Sequence, residues 1–424
     1  MIWMLVAFFA LIGIGVPIAF SLGGISVLWS LVTGGDIFLL ARRMYYGVDS
    51  FTLLAVPLFM LSGSLMNNGD LSSKIIGFCR IFFGRVRGGL AHMNVLDSML
   101  FAGMSGSSQA DTASIGGIMI NEMEKEGYPT PVTLGITCAS STIGVIIPPS
   151  IPMLILGSVA SVSVADMFMG GIIPGIVVGI MQMLQVVYMT FKYNFPKTAR
   201  LSFKEAVEVS FDALPALMIP VIILVGTGSG IFTSTEAGVI CVFYAAFVCL
   251  IRRKLTLKMI WNCIHETALL SAIPLIFCSI GAPLGWIIAF EGIPVALSEA
   301  IVSYTSSPLV VLLITAVIVL ILGMFMDNIV IITIMVPVLL PVSNLVGIDP
   351  TQFAIVVIVA SAIGLITPPV GQVLFVCSSI SKQPLSVIVK GTLPFLWGEL
   401  IVLLLLCAVP EFSTWLPNYL ASLR

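Results

Sequence analysis

Long apolar stretches follow one another along almost the whole chain, and a membrane-spanning helix needs about 20 such residues. Nine stretches predict continuous helices, near 2–32, 51–68, 132–158, 168–191, 213–232, 236–251, 264–290, 353–380 and 392–410. Glycine, serine, aspartate or proline interrupts two others, at about 88–124 and 308–343, and this predicts re-entrant hairpins. The pattern as a whole predicts an all-α polytopic membrane protein.

The composition agrees with that fold class. Apolar residues make up 59% of the 424 residues and charged residues only 9%, whereas a soluble domain has about 45–50% and about 25%. A water-soluble enzyme is therefore excluded. The net charge of −2 leaves no basic surplus for nucleic acid. The eight cysteines lie in or beside apolar segments without a CxxC pair, which predicts buried thiols.

The positions of the basic residues predict the topology. No lysine or arginine precedes Arg42, so the first stretch is expected to be a retained span rather than a cleaved signal peptide. The basic clusters 74–87, 192–204 and 252–258 are assigned to the cytoplasm by the positive-inside rule. Arg42 and Arg43 depart from this rule, which leaves the placement of the first loop open.

An internal repeat underlies this layout. An offset of 220 residues (323 − 103) places Gly103-Met104 on Gly323-Met324 and Pro148-Pro149 on Pro368-Pro369. The charge pattern predicts opposite orientations for the two copies, as in transporters with inverted repeats. The expected divisions are an N-terminal scaffold span (1–50), a first repeat (51–191), a linker with two scaffold helices (192–263), a second repeat (264–410) and a tail (411–424). Amphipathic stretches 71–86 and 294–304 are expected to be interfacial arms before the hairpins.

The interrupted segments carry the polar chemistry. Unpaired backbone at membrane depth is tolerated only where it lines a cavity or is buried in protein. Each Pro-Pro pair should unwind its helix, at 132–158 and at 353–380, and free carbonyls near Gly144 and Val145 in the first copy. Carbonyl and hydroxyl oxygens suit a small dehydrated cation such as Na⁺. Two such clamps predict two ion sites, with an anionic cargo between them at helix N-termini.

Hairpin geometry suggests four cargo contacts, which are Ser107, Asp111, Asp327 and Asn328. Simpler roles remain open for these features. The Gly-Ser patches could serve close helix packing, the Pro-Pro pairs could be plain kinks, and either aspartate could merely cap a helix. Glu236 follows Thr233 in the manner of a helix start rather than a ligand.

Several motifs in combination resemble one family. They are Ser-Gly-Ser-Ser-Gln-Ala-Asp (105–111), Ile-Pro-Pro-Ser-Ile-Pro (147–152), Thr-Glu-Ala-Gly (235–238), Gly-Met-Phe-Met-Asp (323–327) and Gly-Leu-Ile-Thr-Pro-Pro-Val-Gly (364–371). The chain is similar to the large membrane (M) subunit of tripartite ATP-independent periplasmic (TRAP) transporters. The resemblance implies a sodium-coupled elevator in the bacterial inner membrane that imports an organic acid, such as a C4-dicarboxylate, a sialic acid or a sugar acid.

The resemblance also implies partners and ion ligands. A periplasmic binding protein would deliver the cargo, and a small four-helix membrane subunit is expected to be a separate polypeptide. Na⁺ would be the coupling ion, with no other cofactor. The first ion site carried over by motif consists of Ser105, Ser108, Gly144, Ile147 and Pro149. The second consists of Gly323, Met326, Gly364 and Thr367. Gln109 departs from the family's usual Ala or Val, and the bulky Phe325-Met326 favours backbone ligands in the second site.

Two other readings stay open at this stage. One is a stand-alone sodium/anion symporter that needs no binding protein, and the other is a channel, which would require a continuous polar lining. An enzyme is not expected, because no HExxH, GxSxG or Walker sequence occurs.

Overall fold

The computed structural model describes residues 2–197 and 202–423, and within these ranges the regular structure is helical. The α-helices are α1 (Ile2–Gly13), α2 (Ile18–Thr33), α3 (Ile37–Tyr46), α4 (Ala55–Asn68), α5 (Ser72–Phe83), α6 (Gly89–Ser105), α7 (Ser108–Asp111), α8 (Gly117–Lys125), α9 (Thr130–Ser141), α10 (Ile151–Ala160), α11 (Val164–Tyr193), α12 (Phe203–Gly228), α13 (Ser234–Ile251), α14 (Leu257–Phe290), α15 (Ile293–Tyr304), α16 (Pro308–Gly323), α17 (Asn328–Leu345), α18 (Pro350–Leu365), α19 (Gln372–Ser381), α20 (Leu385–Ala408) and α21 (Glu411–Ser422). A π-helical turn at Thr112–Gly116 joins α7 to α8, and a 3₁₀ turn at Thr142–Val145 follows α9.

The first apolar stretch differs from its prediction as one continuous helix over 2–32. It forms two helices, α1 and α2, which are separated at 14–17. Gly15 adopts a left-handed φ of 90°, a conformation that glycine allows without steric cost. Pro17 then precedes α2 as its N-cap residue and cannot donate a backbone hydrogen bond to a continuing helix. A uniformly apolar composition therefore concealed a helix break.

Six helices are long and apolar enough to cross a membrane within the part of the chain that the structure describes. They are Val164–Tyr193, Phe203–Gly228, Ser234–Ile251, Leu257–Phe290, Asn328–Leu345 and Leu385–Ala408. Asn328–Leu345 is also the second arm of the predicted hairpin 308–343. Length alone therefore does not decide whether that arm re-enters or crosses, and re-entry stays a prediction.

The order of the helices repeats along the chain. From α4 to α11 and again from α14 to α20, an apolar helix is followed by a shorter helix at the position of the predicted arm. Next come a helix pair with a broken tip, a helix that ends before a Pro-Pro pair, a short helix and a long helix. The broken tips lie at 106–107 and 324–327, and the unwound segments at 146–150 and 366–371. The opposite orientation of the two copies stays a prediction.

The core lies at the helices beside the Pro-Pro pairs. In α9 every residue from Val132 to Ser141 is buried, and in α18 every residue from Gln352 to Leu365. In contrast, α12 to α14 expose large apolar side chains such as Phe211, Phe243 and Trp261. A helix that is buried on all sides forms the inside of a bundle, whereas an exposed apolar face suits lipid or a membrane partner.

The three predicted basic clusters meet at one end of the molecule. Lys74 and Arg252 both approach the carboxylate of Asp212, at 3.3 and 3.9 Å. The Gly88 N–H donates to the Pro196 carbonyl at 3.1 Å and joins the second cluster to the first. Arg200, which belongs to the cluster 192–204, lies outside the described residues. One shared end is what the positive-inside prediction requires of these clusters.

Candidate functional site

The tip of the first hairpin packs directly on the first unwound segment. Gly106 has a left-handed φ of 61°, and its carbonyl accepts a hydrogen bond from the Ile151 N–H at 3.2 Å. A Cβ on Gly106 would lie 2.7 Å from the Pro149 carbonyl oxygen, and one on Gly144 would lie 3.4 Å from the Ser107 carbonyl oxygen. The structure thus brings the 105–108 tip against 144–151, where the sequence predicted the first ion site.

Two hydroxyl oxygens in this contact have no hydrogen-bond partner. The Oγ atoms of Ser105 and Ser108 are buried and unpaired, and an unpaired buried hydroxyl costs about 1–3 kcal/mol. One expectation is wrong at this point. The Val145 carbonyl is not free, because the Ser150 hydroxyl donates to it at 2.6 Å. The hydroxyls of Ser105 and Ser108 are thus the oxygens of this contact that lack a partner, whereas the Val145 carbonyl has one lone pair taken.

The second hairpin meets the second unwound segment through paired glycines. A Cβ on Gly364 would lie 2.5 Å from the Cα of Gly323, so a side chain at this crossing would collide with backbone. The Met324 carbonyl also accepts from the Gly371 N–H at 3.0 Å. As in the first copy, the hairpin tip and the unwound segment are held together by backbone.

Two residues of the second predicted site, Thr367 and Met326, carry side chains, and these have different surroundings. The Thr367 hydroxyl donates to the Ile363 carbonyl of its own helix at 2.6 Å. The Met326 side chain lines an entirely apolar cavity between α1, α2, α14 and α17. The Thr367 oxygen keeps its lone pairs for an ion while its hydrogen is donated, and a backbone ligand from Met326 stays a prediction.

A cavity of about 250 Å³ lies between the two hairpin tips. Polar residues come from the tips, and apolar residues come from α4, α10 and α14. The lining includes Gly106, Ser107, Gln109, Asp327, Asn328, Met60, Ile151, Leu270 and Pro274. Three of the four predicted cargo contacts, Ser107, Asp327 and Asn328, are thus brought to one cavity.

Two helices begin at this cavity, each with a capping side chain. The Ser107 hydroxyl accepts from the Ala110 N–H at the start of α7, at 3.4 Å. Asp327 Oδ1 accepts from the Ile329 N–H at the start of α17, at 2.9 Å. Asn328 is 2% exposed, and its Oδ1 atom has no partner. Helix N-termini carry partial positive charge, which favours an anion between them.

Asp111, the fourth predicted cargo contact, does not line the cavity. Its side chain turns toward α6, where the Ser98 hydroxyl donates to Oδ2 at 2.8 Å. Ser98 also contacts the Ser140 hydroxyl of α9 at 3.0 Å. Asp111 is 1% exposed, and its Oδ1 atom lacks a partner. In this conformation it joins the two arms of the hairpin to α9, and cargo contact at Asp111 stays a prediction without support from the cavity.

Comparison with known proteins identifies the family. The model of the "Tripartite ATP-independent periplasmic transporter, DctM component" matches residues 5–412. The chain belongs to this family. It is therefore a multi-pass membrane protein of the TRAP transporter class, and the resemblance inferred from the motifs is confirmed.

Relatives of this TRAP permease share its length. The sialic acid TRAP transporter large permease protein SiaM of Vibrio cholerae is 35% identical over 95% of each chain. The C4-dicarboxylate TRAP transporter large permease protein DctM of Pseudomonas aeruginosa is 36% identical over 90% of each. The crystal structure of the Alcanivorax borkumensis YdaH transporter superposes with a TM-score of 0.63 at 14% identity, over 90% of this chain and 87% of that one. This last likeness is one of fold alone.

A buried carboxyl in the TRAP permease escaped the sequence reasoning. Glu399 of α20 is 1% exposed. Its Oε1 atom accepts from the Thr142 hydroxyl at 3.0 Å and from the Gln182 amide at 2.9 Å. The group therefore joins α11 and α20 to the 3₁₀ turn beside the first unwound segment. A lone acidic residue inside the apolar stretch 392–410 was the signal that could have found it.

Proposed function

We propose that this TRAP permease couples the entry of Na⁺ to the import of an organic acid across the bacterial inner membrane. The observation that carries the proposal is the contact of each hairpin tip with an unwound segment. In the first copy this contact holds the unpaired buried oxygens of Ser105 and Ser108. Desolvated oxygen atoms at a helix break are the ligands that a hard cation requires.

The first Na⁺ would lie between Ser105, Ser108 and the carbonyl oxygens of the 144–149 segment. The second would lie between the backbone of 323–326 and that of 364–367. Each Na⁺ charge that crosses 100 mV releases about 2.3 kcal/mol. Two such ions release enough free energy to concentrate an anionic cargo against its own charge.

Several observations support an organic acid as the cargo. The cavity between the hairpin tips is bordered by the N-termini of α7 and α17, and partial positive charge there favours a carboxylate. SiaM and DctM are named for sialic acid and for C4-dicarboxylates. Bound Na⁺ would add positive charge to the site as a whole, so ion binding would precede cargo binding.

The transport movement we propose is an elevator. The hairpins pack with α9, α10, α18 and α19 into a buried unit that would move as one body against α12 to α14. The exposed apolar surface of α12 to α14 would contact lipid and a separate small four-helix membrane subunit. A periplasmic binding protein would deliver the cargo, in keeping with the tripartite family to which the chain belongs.

Transport by purified components in liposomes tests this proposal. The permease would be reconstituted with its small membrane subunit, and uptake of labelled sialic acid or succinate would be measured with and without its periplasmic binding protein. We expect uptake only with an inward Na⁺ gradient and with binding protein present. Equal uptake in K⁺ would refute sodium coupling, and uptake without binding protein would identify a stand-alone symporter.

A further inference from the structure

Asp327 stands at the centre of a hydrogen-bond cluster that joins both halves of the molecule. The Gln109 amide of the first hairpin donates to Asp327 Oδ2 at 2.9 Å. Gln372 follows the second unwound segment. When the Gln372 amide is oriented so that its nitrogen and its oxygen both have partners, the nitrogen donates to Asp327 Oδ2 at 2.8 Å. The amide oxygen then accepts from the Asp327 N–H at 3.2 Å. Together with the Ile329 N–H on Oδ1, three donors fix this carboxylate.

N–H donors face both carboxyl oxygens of Asp327. This arrangement matches a carboxylate, which can only accept hydrogen bonds. Among the described residues that line the cavity, none is a lysine, an arginine or a histidine. A second carboxylate on the cargo, placed near Asp327, would therefore meet a like charge without a side-chain counter-ion.

A hydroxyl group suits this end of the cavity better than a carboxylate. Hydroxyl O–H groups donate to a carboxylate, and the resulting charge-assisted hydrogen bonds are among the strong ones. Gln109 lines the cavity, and its amide oxygen and nitrogen can both contact a hydroxyl. The continuous helical run 108–125, which comprises α7, the π-helical turn and α8, begins next to Ser107, and its N-terminus suits the one carboxylate of the cargo.

We propose that the cluster of Gln109, Asp327 and Gln372 selects a monocarboxylic acid that carries several hydroxyl groups over a dicarboxylic acid. Gln109 and Gln372 position the carboxylate of Asp327, and Asp327 and Gln109 receive the cargo hydroxyls. This inference rests on the proposed function, because it concerns the specificity of the same cavity.

Binding to the purified permease separates its specificity from that of a binding protein. Thermal unfolding would be followed in Na⁺ with increasing D-gluconate and N-acetylneuraminate, which are hydroxylated monocarboxylates, and with succinate and fumarate, which are dicarboxylates. We expect a hydroxylated acid to stabilise the protein at concentrations at least tenfold lower than either dicarboxylate does. Replacement of Na⁺ by K⁺ should abolish the stabilisation.

Two variants test the assigned residues. Asp327→Asn removes the charge with little change of shape, so it should weaken binding of the hydroxylated acid and strengthen binding of succinate. Gln109→Leu should weaken the binding of the hydroxylated acid by roughly tenfold to a hundredfold, which is the effect of losing a hydrogen bond to a charged group. Gln185→Leu is the matched control, because Gln185 donates to the Pro394 carbonyl in an outer groove between α11 and α20. This variant should bind each acid like the wild type.

The outcomes distinguish the two proposals. If a dicarboxylate binds as tightly as the hydroxylated acids in Na⁺, or if Asp327→Asn leaves the preference unchanged, the selectivity inference is overturned and the sodium-coupled function stands. If no acid stabilises the permease in a Na⁺-dependent manner, the proposed function fails and the inference fails with it.

Discussion

Gly364→Ala perturbs the second proposed ion site without removing a polar atom. The added Cβ would lie 2.5 Å from Gly323 Cα, whereas ordinary contact begins at 3.4 Å, so the hairpin must withdraw by about 0.9 Å (3.4 − 2.5). Overpacking of this kind costs about 1–3 kcal/mol. Alanine in place of a helical glycine returns about 0.5–1 kcal/mol. The net loss of stability is therefore small, at most about 2.5 kcal/mol.

The effect of Gly364→Ala on Na⁺ binding should be larger than its effect on folding. Metal ligands must lie within about 0.2 Å of their proper distances, and the expected displacement is several times greater. We expect the Na⁺ concentration for half-maximal stabilisation to rise roughly 10- to 100-fold, the range seen when a metal site loses its support. The assay is thermal unfolding of purified permease in a Na⁺ series, with choline holding ionic strength constant.

Gly285→Ala is the matched control for this experiment. Gly285 also lies within a long apolar helix, but its added Cβ would meet Pro337 Cγ at 3.6 Å, an ordinary contact. This variant should keep the wild-type Na⁺ dependence and gain a little stability. If Gly364→Ala bound Na⁺ like Gly285→Ala, the contact between hairpin and unwound segment would have no part in ion binding, and the reasoning would be refuted.

Four further substitutions test the first copy and the buried carboxyl. Ser105→Ala should reduce Na⁺-driven uptake at least tenfold in liposomes while the melting temperature stays within about 2 °C of wild type. If Ser105→Ala left the Na⁺ conductance unchanged, that result would instead favour a channel. Gly106→Ala places a β-carbon at a left-handed φ and should destabilise the fold by about 1–2 kcal/mol in thermal unfolding, so an unchanged midpoint would contradict the tip geometry. Glu399→Leu removes one acceptor from the Thr142 hydroxyl and the Gln182 amide, which both keep the Ala139 carbonyl as a partner, and should cost about 1–3 kcal/mol in total, whereas Glu399→Gln, measured in parallel, should cost less.

The sequence allowed the positions of the helix breaks to be predicted because the breaking residues are local signals. Gly106, Asp327 and the two Pro-Pro pairs interrupt otherwise apolar stretches, and the structure breaks its helices there. Glu236 and Thr233 form a capping box at the start of α13, which confirms the predicted helix start. Such features depend on backbone preferences within a few residues, which a sequence displays directly.

Features that depend on side-chain direction were not predictable in the same way. Asp111 turns to Ser98 instead of the cavity, and the Ser150 hydroxyl occupies the Val145 carbonyl. The Asp111 contact follows from how α6 packs against α7, whereas Ser150 reaches back only five residues, within the turn that the prolines create. The missed partners of Glu399 come from the 3₁₀ turn after α9 and from α11, more than 200 residues earlier in the chain. Uniform hydrophobicity likewise hid the break between α1 and α2.

Equilibrium binding of ²²Na⁺ to the purified permease tests the central claim most directly, because it requires neither cargo nor partner subunits. The account predicts saturable binding that excess K⁺ does not displace and that both Ser105→Ala and Gly364→Ala weaken. Absence of saturable binding, equal displacement by K⁺, or wild-type affinity in both variants would contradict it.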